Sequence, residues 1–389
     1  MQAIIDSYLD TDLYKFTMMQ CVWHHFKGSQ ALYRFECRNH KQTKHLKEKV
    51  QEQVQALKEV RWKNGELDYL SQLSYMKPDF IEYLKGVGFN PDYVKVNTHL
   101  EELTIEIEGP WLETILFEVP LLAMVSELYG ETLKTKDTLN EANRRLTEKI
   151  ETLKKIKNPQ FGFTDFGTRR RFSKAWQDML TQRLIDEVPE HFHATSNIGF
   201  AAQYGIPVLG TMAHEFIQAC QVLAPNLHES QKFALNTWYQ EYQGQLGIAL
   251  TDTITFEVFL REFDKPLALK YQGLRQDSGD PIAWGERALK FYQDIGVSAK
   301  DKTFVFSDKL TVQKAYEIFQ LFEKEVRPTF GIGTNLTNDV GILPPDIVIK
   351  LNRMNGKPVV KISDSVGKEI CDDQVYLSEF KKRLGIQVI

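Results

Sequence analysis

From about residue 160 onward, short apolar runs alternate with stretches whose hydrophobic positions recur at helical spacing. The runs occupy residues 161–164, 206–209, 248–250, 267–269, 304–306, 329–332 and 347–349. Strands that alternate with helices in this way predict parallel βαβ units. Six to eight such units predict a (β/α) barrel, with an open doubly wound sheet as the competing architecture. No self-similarity at a fixed period points to a solenoid.

The first third of the chain has a different texture. Residues 10–26 place acidic side chains at a helix entry with an apolar pattern after it, which predicts a capped amphipathic helix. Residues 31–37 read as a strand, and Leu46, Val50, Val54 and Leu57 recur at helical spacing. Two short strands within 94–107 are closed by Gly109-Pro110, and an apolar helix over 111–128 should kink at Pro120. These elements predict a mixed α+β domain. A one-sided helix through Leu139, Ala142, Leu146, Ile150 and Leu153 leads out of it.

The polar residues at the ends of the apolar runs carry more information than the runs themselves. Residues 207–216, PVLGTMAHEF, break from apolar into Thr211, His214 and Glu215, which predicts a buried strand delivering a histidine to its carboxyl end. A lone histidine in such a place is more often structural than catalytic. Here the other runs end in the same way. Asp165, Phe166, Gly167, Thr168 and Arg169 to Arg171 come after the first run, and Thr195, Ser196 and Asn197 form the next polar cluster. Asp252 succeeds the run at 248–250, while Arg275, Asp277, Ser278 and Gly279 come after 267–269. Ser307, Asp308 and Lys309 succeed 304–306, and Phe330 opens a stretch with Gly331, Gly333, Thr334 and Asn335. In a barrel all of these share the carboxyl-terminal rim, where active sites are built.

Each cluster has a chemical reading and a plainer one. Glycines turning into a helix present N–H groups to a phosphate, although glycines also simply make turns. Asp252, Asp277 and Asp308 suit ribose hydroxyls or Mg2+, or else cap helices. The three arginines suit carboxylate or phosphate recognition, with at least one expected at the surface. Together they fit a phosphorylated sugar better than an apolar ligand.

Composition narrows this picture without redirecting it. The 389 residues are 42% hydrophobic and 26% charged with a net charge of -4, as in an ordinary globular protein. Mild acidity argues against bulk nucleic-acid binding but leaves room for a local basic site that holds an anion. No run approaches a membrane span, and the acidic start, with Asp6, Asp10 and Asp12, is unlike a signal peptide. Cys21, Cys37, Cys220 and Cys371 have no metal-type or paired spacing, which predicts a reduced, cytoplasmic protein.

Nine segments, taken together, closely resemble the bacterial-type nicotinate phosphoribosyltransferases. They are DTDLYKFTMMQ at 10–20, DFGTRRRFS at 165–173, TSN at 195–197, GTMAHE at 210–215, LTDT at 250–253, GLRQDSGDP at 273–281, SDKL at 307–310, FGIGTN at 330–335 and VVKISDSVGK at 359–368. The resemblance implies a type II phosphoribosyltransferase fold. That is an irregular α/β barrel over 136–350, with a second, α+β domain made of 1–135 joined by about 351–389. It also implies a homodimer with shared active sites.

The implied reaction joins nicotinate to 5-phosphoribosyl 1-diphosphate, with Mg2+ and with ATP as a co-substrate, and the implied role of His214 is transient phosphorylation. By the same resemblance Arg275 and Asp277 bind the ribose phosphate and its hydroxyls, and Gly331, Gly333 and Thr334 hold the 5-phosphate. Tyr14 stacks on the base from the neighbouring subunit, Phe166 and Arg169 form the rest of the base pocket, and Asp12 supports it. Nicotinamide-using relatives carry an acidic residue near the position of Thr195, Ser196 and Asn197; its absence favours the acid form of the base. Nicotinamide or quinolinate transfer on the same fold, and a non-catalytic sugar-phosphate sensor, are the competing readings. Should His214 not be the ATP-linked histidine, His191, His193 and His228 come next.

Overall fold

The computed structural model describes residues 2–39, 42–364 and 369–386, so the end of the 359–368 motif, residues 365–368, lies outside the described residues. Three N-terminal strands, β1 (Gln30–Cys37), β2 (Val94–His99) and β3 (Glu102–Pro110), form an antiparallel sheet. Their one-sided burial alternates as a half-buried sheet requires, with Ala31, Tyr33, Phe35 and Cys37 inward on β1. The helix Tyr14–His25 departs from the expected capped amphipathic helix: Leu13 at its entry makes no side-chain cap, its first turn holds no acidic residue, and Tyr14 to Val22 are all buried rather than the residues of one face.

The second layer is a ring of six parallel strands. They are β4 (Phe163–Asp165), β5 (Phe192–Thr195), β6 (Ile248–Leu250), β7 (Gly273–Gln276), β8 (Thr303–Phe306) and β9 (Arg327–Ile332), in spatial order β5-β4-β9-β8-β7-β6. Between β5 and β6, residues 206–211 supply an irregular closing segment. The Thr195 amide donates to Pro207 and the Leu209 amide to Thr195, while the Thr211 hydroxyl reaches the Ile248 carbonyl at 3.5 Å. The result is an irregular α/β barrel packed on an α+β layer, as the apolar alternation predicts.

Three expected strands come out differently. Residues 206–209 make only a bridge, Val208 to Thr195, because Pro207 has no N–H to donate and Gly210 is pressed against the backbone of Tyr14. Residues 267–269 are helical, within Lys265–Lys270; Asp264 caps that helix through the Leu267 amide and Pro266 sits in its first turn, so the strand comes later, at β7. Residues 347–349 belong to β10 (Ile347–Met354), which leaves the barrel and pairs antiparallel with β1, with β11 (Lys357–Pro358) beyond it. A short apolar run cannot declare which sheet it will join. The Pro120 kink also moves: the helix breaks at Ile115–Phe117 and restarts at Glu118, which places Pro120 in a first turn where its missing N–H costs nothing. Leu139 is exposed, and the buried face of the helix Thr138–Lys155 runs instead through Thr138, Ala142, Leu146, Ile150 and Leu153.

Among the described residues no helix is long and apolar enough to cross a membrane.

Candidate active site

A cavity of about 820 Å³ opens where the carboxyl ends of β4, β7, β8 and β9 face the antiparallel sheet. Its wall includes Phe166, Arg169, Arg275, Asp277, Ser278, Asp308, Gly333, Thr334 and Asn335. Eight lysines and arginines line it against four aspartates, so its field favours an anion inside a chain of net negative charge. The Asn335 Oδ1 atom is buried at this wall with no hydrogen-bond partner among the described residues, an unmet polar group of the kind a ligand satisfies.

Arg275 is the fixed point of the wall. Its Nε donates to Ser307 Oγ at 2.9 Å, one terminal nitrogen donates to Asp277 Oδ1 at 3.0 Å, and the guanidinium lies 5.5 Å from the Phe166 ring centre. Ser307 also donates to Asp277, at 2.7 Å. The triangle fixes one cation and one carboxylate side by side at the mouth, where the guanidinium can meet a polar, anionic substrate.

His214 lies just behind Asp277. It is the first residue of the helix His214–Leu223 rather than the end of a strand, and 6% of its surface is exposed. Its Nε2 is 3.0 Å from Asp252 Oδ1, and its Nδ1 is 3.8 Å from Asp277 Oδ2. Asp252 accepts from the Ser278 hydroxyl at 2.6 Å and faces the Lys361 ammonium at 3.6 Å. Burial opposes its ionisation, but His214, Lys361 and Ser278 hold the carboxyl below its usual range. Burial, and then the charge of Lys361, push the imidazole down from 6.5 to about 4. Neutral His214 donates Nε2–H to Asp252, which orients the ring and leaves the Nδ1 lone pair on the Asp277 side.

This has a measurable consequence. In nitrogen-15-labelled protein the His214 ring is expected to stay neutral, protonated on Nε2, from neutral pH down to about pH 5; a midpoint at the ordinary histidine value of about 6.5 would overturn the burial argument. The linked stability runs in the matching direction. The unfolded chain binds the extra proton between 6.5 and about 4, so this contribution is complete above 6.5 and is lost as pH falls through that window.

The three consecutive arginines divide their work. Arg169 and Arg170 reach the cavity, Arg170 also pairing with Asp346 at 2.6 Å. Arg171 is fully buried and grips Asp10 with two nitrogens, at 2.6 and 2.9 Å, and Glu127 at 2.8 Å, so it pins the N-terminal residues to the barrel. None of the three is the surface residue expected. Nor do Asp252, Asp277 and Asp308 serve as helix caps; Thr255, Asp280 and Thr311 fill those positions.

Behind Arg169 the remaining expected residues form a buried shell. Asp12 accepts from the Ser196 hydroxyl at 2.7 Å and lies 3.8 Å from Arg169. The Tyr14 ring lies 5.8 Å from the Arg169 guanidinium of its own chain, and its buried hydroxyl has no partner among the described residues. Thr195 meets Asp165, and Asn197 caps the helix Ile198–Tyr204 while donating to Asp10. None of Thr195, Ser196 and Asn197 is on the cavity wall. Gly331 is also off it: a Cβ there would meet the Phe166 ring at 2.2 Å, so glycine lets that ring lie flat on β9. Gly279 takes φ +79, which glycine alone adopts without strain, in the turn between Ser278 and the Asp280 cap.

Some cavity residues carry no signal in the barrel pattern. Arg38 follows β1, Lys350 lies within β10, and Lys361 starts a two-residue strand that pairs with Glu369–Ile370 apart from the main antiparallel sheet, so nothing at a parallel strand end announces them. Lys350 sits among Lys361, Arg38 and Arg169, and burial followed by these like charges lowers its ammonium from 10.5 to about 7.

The sequence profile of the nicotinate phosphoribosyltransferase (NAPRTase) family matches residues 161–387, and that of the NAPRTase N-terminal domain matches 9–126. A nicotinate phosphoribosyltransferase of Ralstonia pickettii (strain 12J) is 45% identical over 388 residues, covering 99% of this chain and 100% of its own. One from Acidovorax sp. (strain JS42) is 45% identical over 389 residues, covering 97% and 98%. The crystal structure of nicotinate phosphoribosyltransferase from Vibrio cholerae superposes with a TM-score of 0.94 at 35% identity, over 100% of this chain and 95% of that one. The enzyme of that name from Porphyromonas gingivalis gives 0.92 at 34%, over 98% and 100%.

Proposed function

The chain belongs to the nicotinate phosphoribosyltransferase family, and we propose that it joins nicotinate to 5-phosphoribosyl 1-diphosphate, releasing nicotinate mononucleotide and diphosphate for NAD salvage. In this reading ATP hydrolysis drives the transfer through transient phosphorylation of His214. The observation that carries it is the basic cavity at the carboxyl ends of the barrel strands, with Phe166, Arg169, Arg275 and Asp277 on one wall.

The chemistry needs little beyond what this wall offers. The pyridine nitrogen attacks the sugar carbon through its own lone pair, so no general base is required, and catalysis rests on alignment and charge. Phe166 offers a face for the flat base and Arg169 a guanidinium for its carboxylate. Asp277, held by Arg275 and Ser307, supplies negative charge beside the ribose as its carbon becomes cationic, while Gly333, Thr334 and Asn335 line the phosphate end. Neutral Nδ1 of His214 attacks the terminal phosphorus of ATP and displaces ADP, and Asp252 stabilises the ring through Nε2–H. The phosphoryl group then adds negative charge behind Asp277, which alters how tightly the mouth holds substrate, until water breaks the N–P bond, releases phosphate and returns the neutral ring.

Among the described residues no three acidic, histidine or cysteine side chains form a metal cage. A Mg2+ ion carried by a diphosphate takes only one or two protein carboxylates, and Asp277 and Asp308 on the cavity wall fit that requirement. When bound, the ion would neutralise charge on the departing diphosphate. The reading includes a homodimer whose subunits share their active sites.

Purified protein given labelled nicotinate, ATP, Mg2+ and the sugar diphosphate is expected to form the mononucleotide, with nicotinamide and quinolinate left unreacted. No mononucleotide from nicotinate would leave the sensor reading in its place.

A further inference from the structure

Beneath the cavity lies a chain of alternating charges of which the proposed reaction uses only the end, Arg169. Lys15 sits in the helix Tyr14–His25 with its side chain fully buried. Its ammonium is 2.6 Å from Glu118 Oε2 and 2.5 Å from Glu215 Oε2. Each carboxylate uses its second oxygen elsewhere. Glu215 Oε1 accepts from the Tyr33 hydroxyl at 2.6 Å and from the Trp111 indole at 2.8 Å. Glu118 Oε1 accepts from Arg169 at 3.4 Å. Glu215 is the residue next to His214 in the first turn of its helix, and Arg169 lines the cavity.

We propose that Lys15 is a positioning residue joining the two halves of the site: through Glu215 it holds the start of the His214 helix, and through Glu118 it holds the Arg169 guanidinium at the base pocket. The inference rests on the reading of His214 as the phosphorylated residue and of Arg169 as the contact for the base carboxylate.

Two features make this more than packing. A buried cation between two buried carboxylates is costly to assemble, and hydrophobic side chains would fill the same volume at no electrostatic cost. The network also alternates in sign from one site element to the other, Glu215, Lys15, Glu118, Arg169, so a shift at either end changes the balance at the next. Burial works against the Glu118 charge, yet Lys15 and then Arg169 hold its carboxyl down to about 2. Lysine suits the position because a compact ammonium donates to two acceptors on opposite sides, where a planar guanidinium would have to turn its fork between them. Without Lys15, two carboxylates would face one another in a dry space and one would take a proton, releasing either the helix start or the arginine.

The test compares Lys15→Met, Lys15→Arg, Glu118→Gln and Arg169→Lys, alone and paired, measuring KM for nicotinate, KM for the sugar diphosphate and mononucleotide formed per ATP hydrolysed. Lys15→Met and Glu118→Gln are expected to raise nicotinate KM about tenfold with little change for the sugar diphosphate, and Lys15→Met to lower the yield per ATP. Lys15→Arg should restore part of both. In the Arg169→Lys background the effect of Glu118→Gln on nicotinate KM should shrink, because the two changes act on one contact. Should Lys15→Met fail to fold, the folded Lys15→Arg and Glu118→Gln variants decide. The proposal is overturned if both keep normal nicotinate KM and normal yield, or if the effects of Glu118→Gln and Arg169→Lys simply multiply. Arg169→Lys alone separates the two kinds of failure: a normal nicotinate KM there overturns the base-pocket assignment, and with it the Arg169 half of the link, whatever Lys15 does.

Discussion

Replacing His214 with alanine is expected to abolish phosphoprotein formation and to lower ATP hydrolysis by about 100-fold or more, because the variant has no nucleophile to receive the phosphoryl group. Transfer of the phosphoribosyl group should survive at a slower, ATP-independent rate. The reason is positional: His214 lies behind Asp277 and is absent from the cavity wall, whereas Phe166, Arg169 and Arg275 remain in place. Mass spectrometry after incubation with ATP, together with separate ATPase and transferase assays, checks each part. Unchanged ATPase would show that another histidine is the acceptor. Of the alternatives, His191 already has both ring nitrogens near backbone carbonyls, at 2.8 and 3.3 Å, and is the poorest candidate.

Gly331→Ala is expected to damage nicotinate binding with no change of charge and no loss of a polar group. A Cβ at this position meets the Phe166 ring at 2.2 Å, a distance that real Cβ atoms do not reach, so the ring must leave β9 and swing toward the cavity. Overpacking of this kind costs about 1–3 kcal/mol of stability. The larger effect should be on the base: nicotinate KM rises about tenfold or more as the flat platform is lost. The sugar-diphosphate KM should change less, since Arg275 is also held by Ser307 and Asp277. Steady-state kinetics with each substrate varied in turn, beside a thermal melt, separates the two effects. A normal nicotinate KM would show that Phe166 does not carry the base.

Much of the barrel is legible in the chain because buried parallel strands are written as short apolar runs with polar residues after them. The reading of β6 is right to the residue, and β8 and β9 differ from it only at their starts. It fails where local chemistry outweighs hydrophobicity. Asp264 and Pro266 turn residues 267–269 into a helix, and Pro207 denies residues 206–209 a place in a full strand ladder. The glycines of FGIGTN show the same limit at the site itself: Gly333 lines the cavity, while Gly331 makes room for an aromatic ring that arrives from a different strand. No spacing within 330–335 distinguishes the two.

The sequence by itself determined the strand-and-helix alternation, the rim on which the polar clusters gather and, through nine ordered motifs, the family. These are properties of near neighbours along the chain, set by periodicity and by short runs of side chains. Only the tertiary structure decided that Asp252 orients His214, that Arg171 is a buried anchor while Arg169 faces the cavity, and that Lys15 stands between Glu118 and Glu215. Those pairings join residues 38, 161, 103 and 200 positions apart. Each forms only when folding brings separate elements together, which no local periodicity encodes; the pairing of β10 with β1 is another such long-range contact.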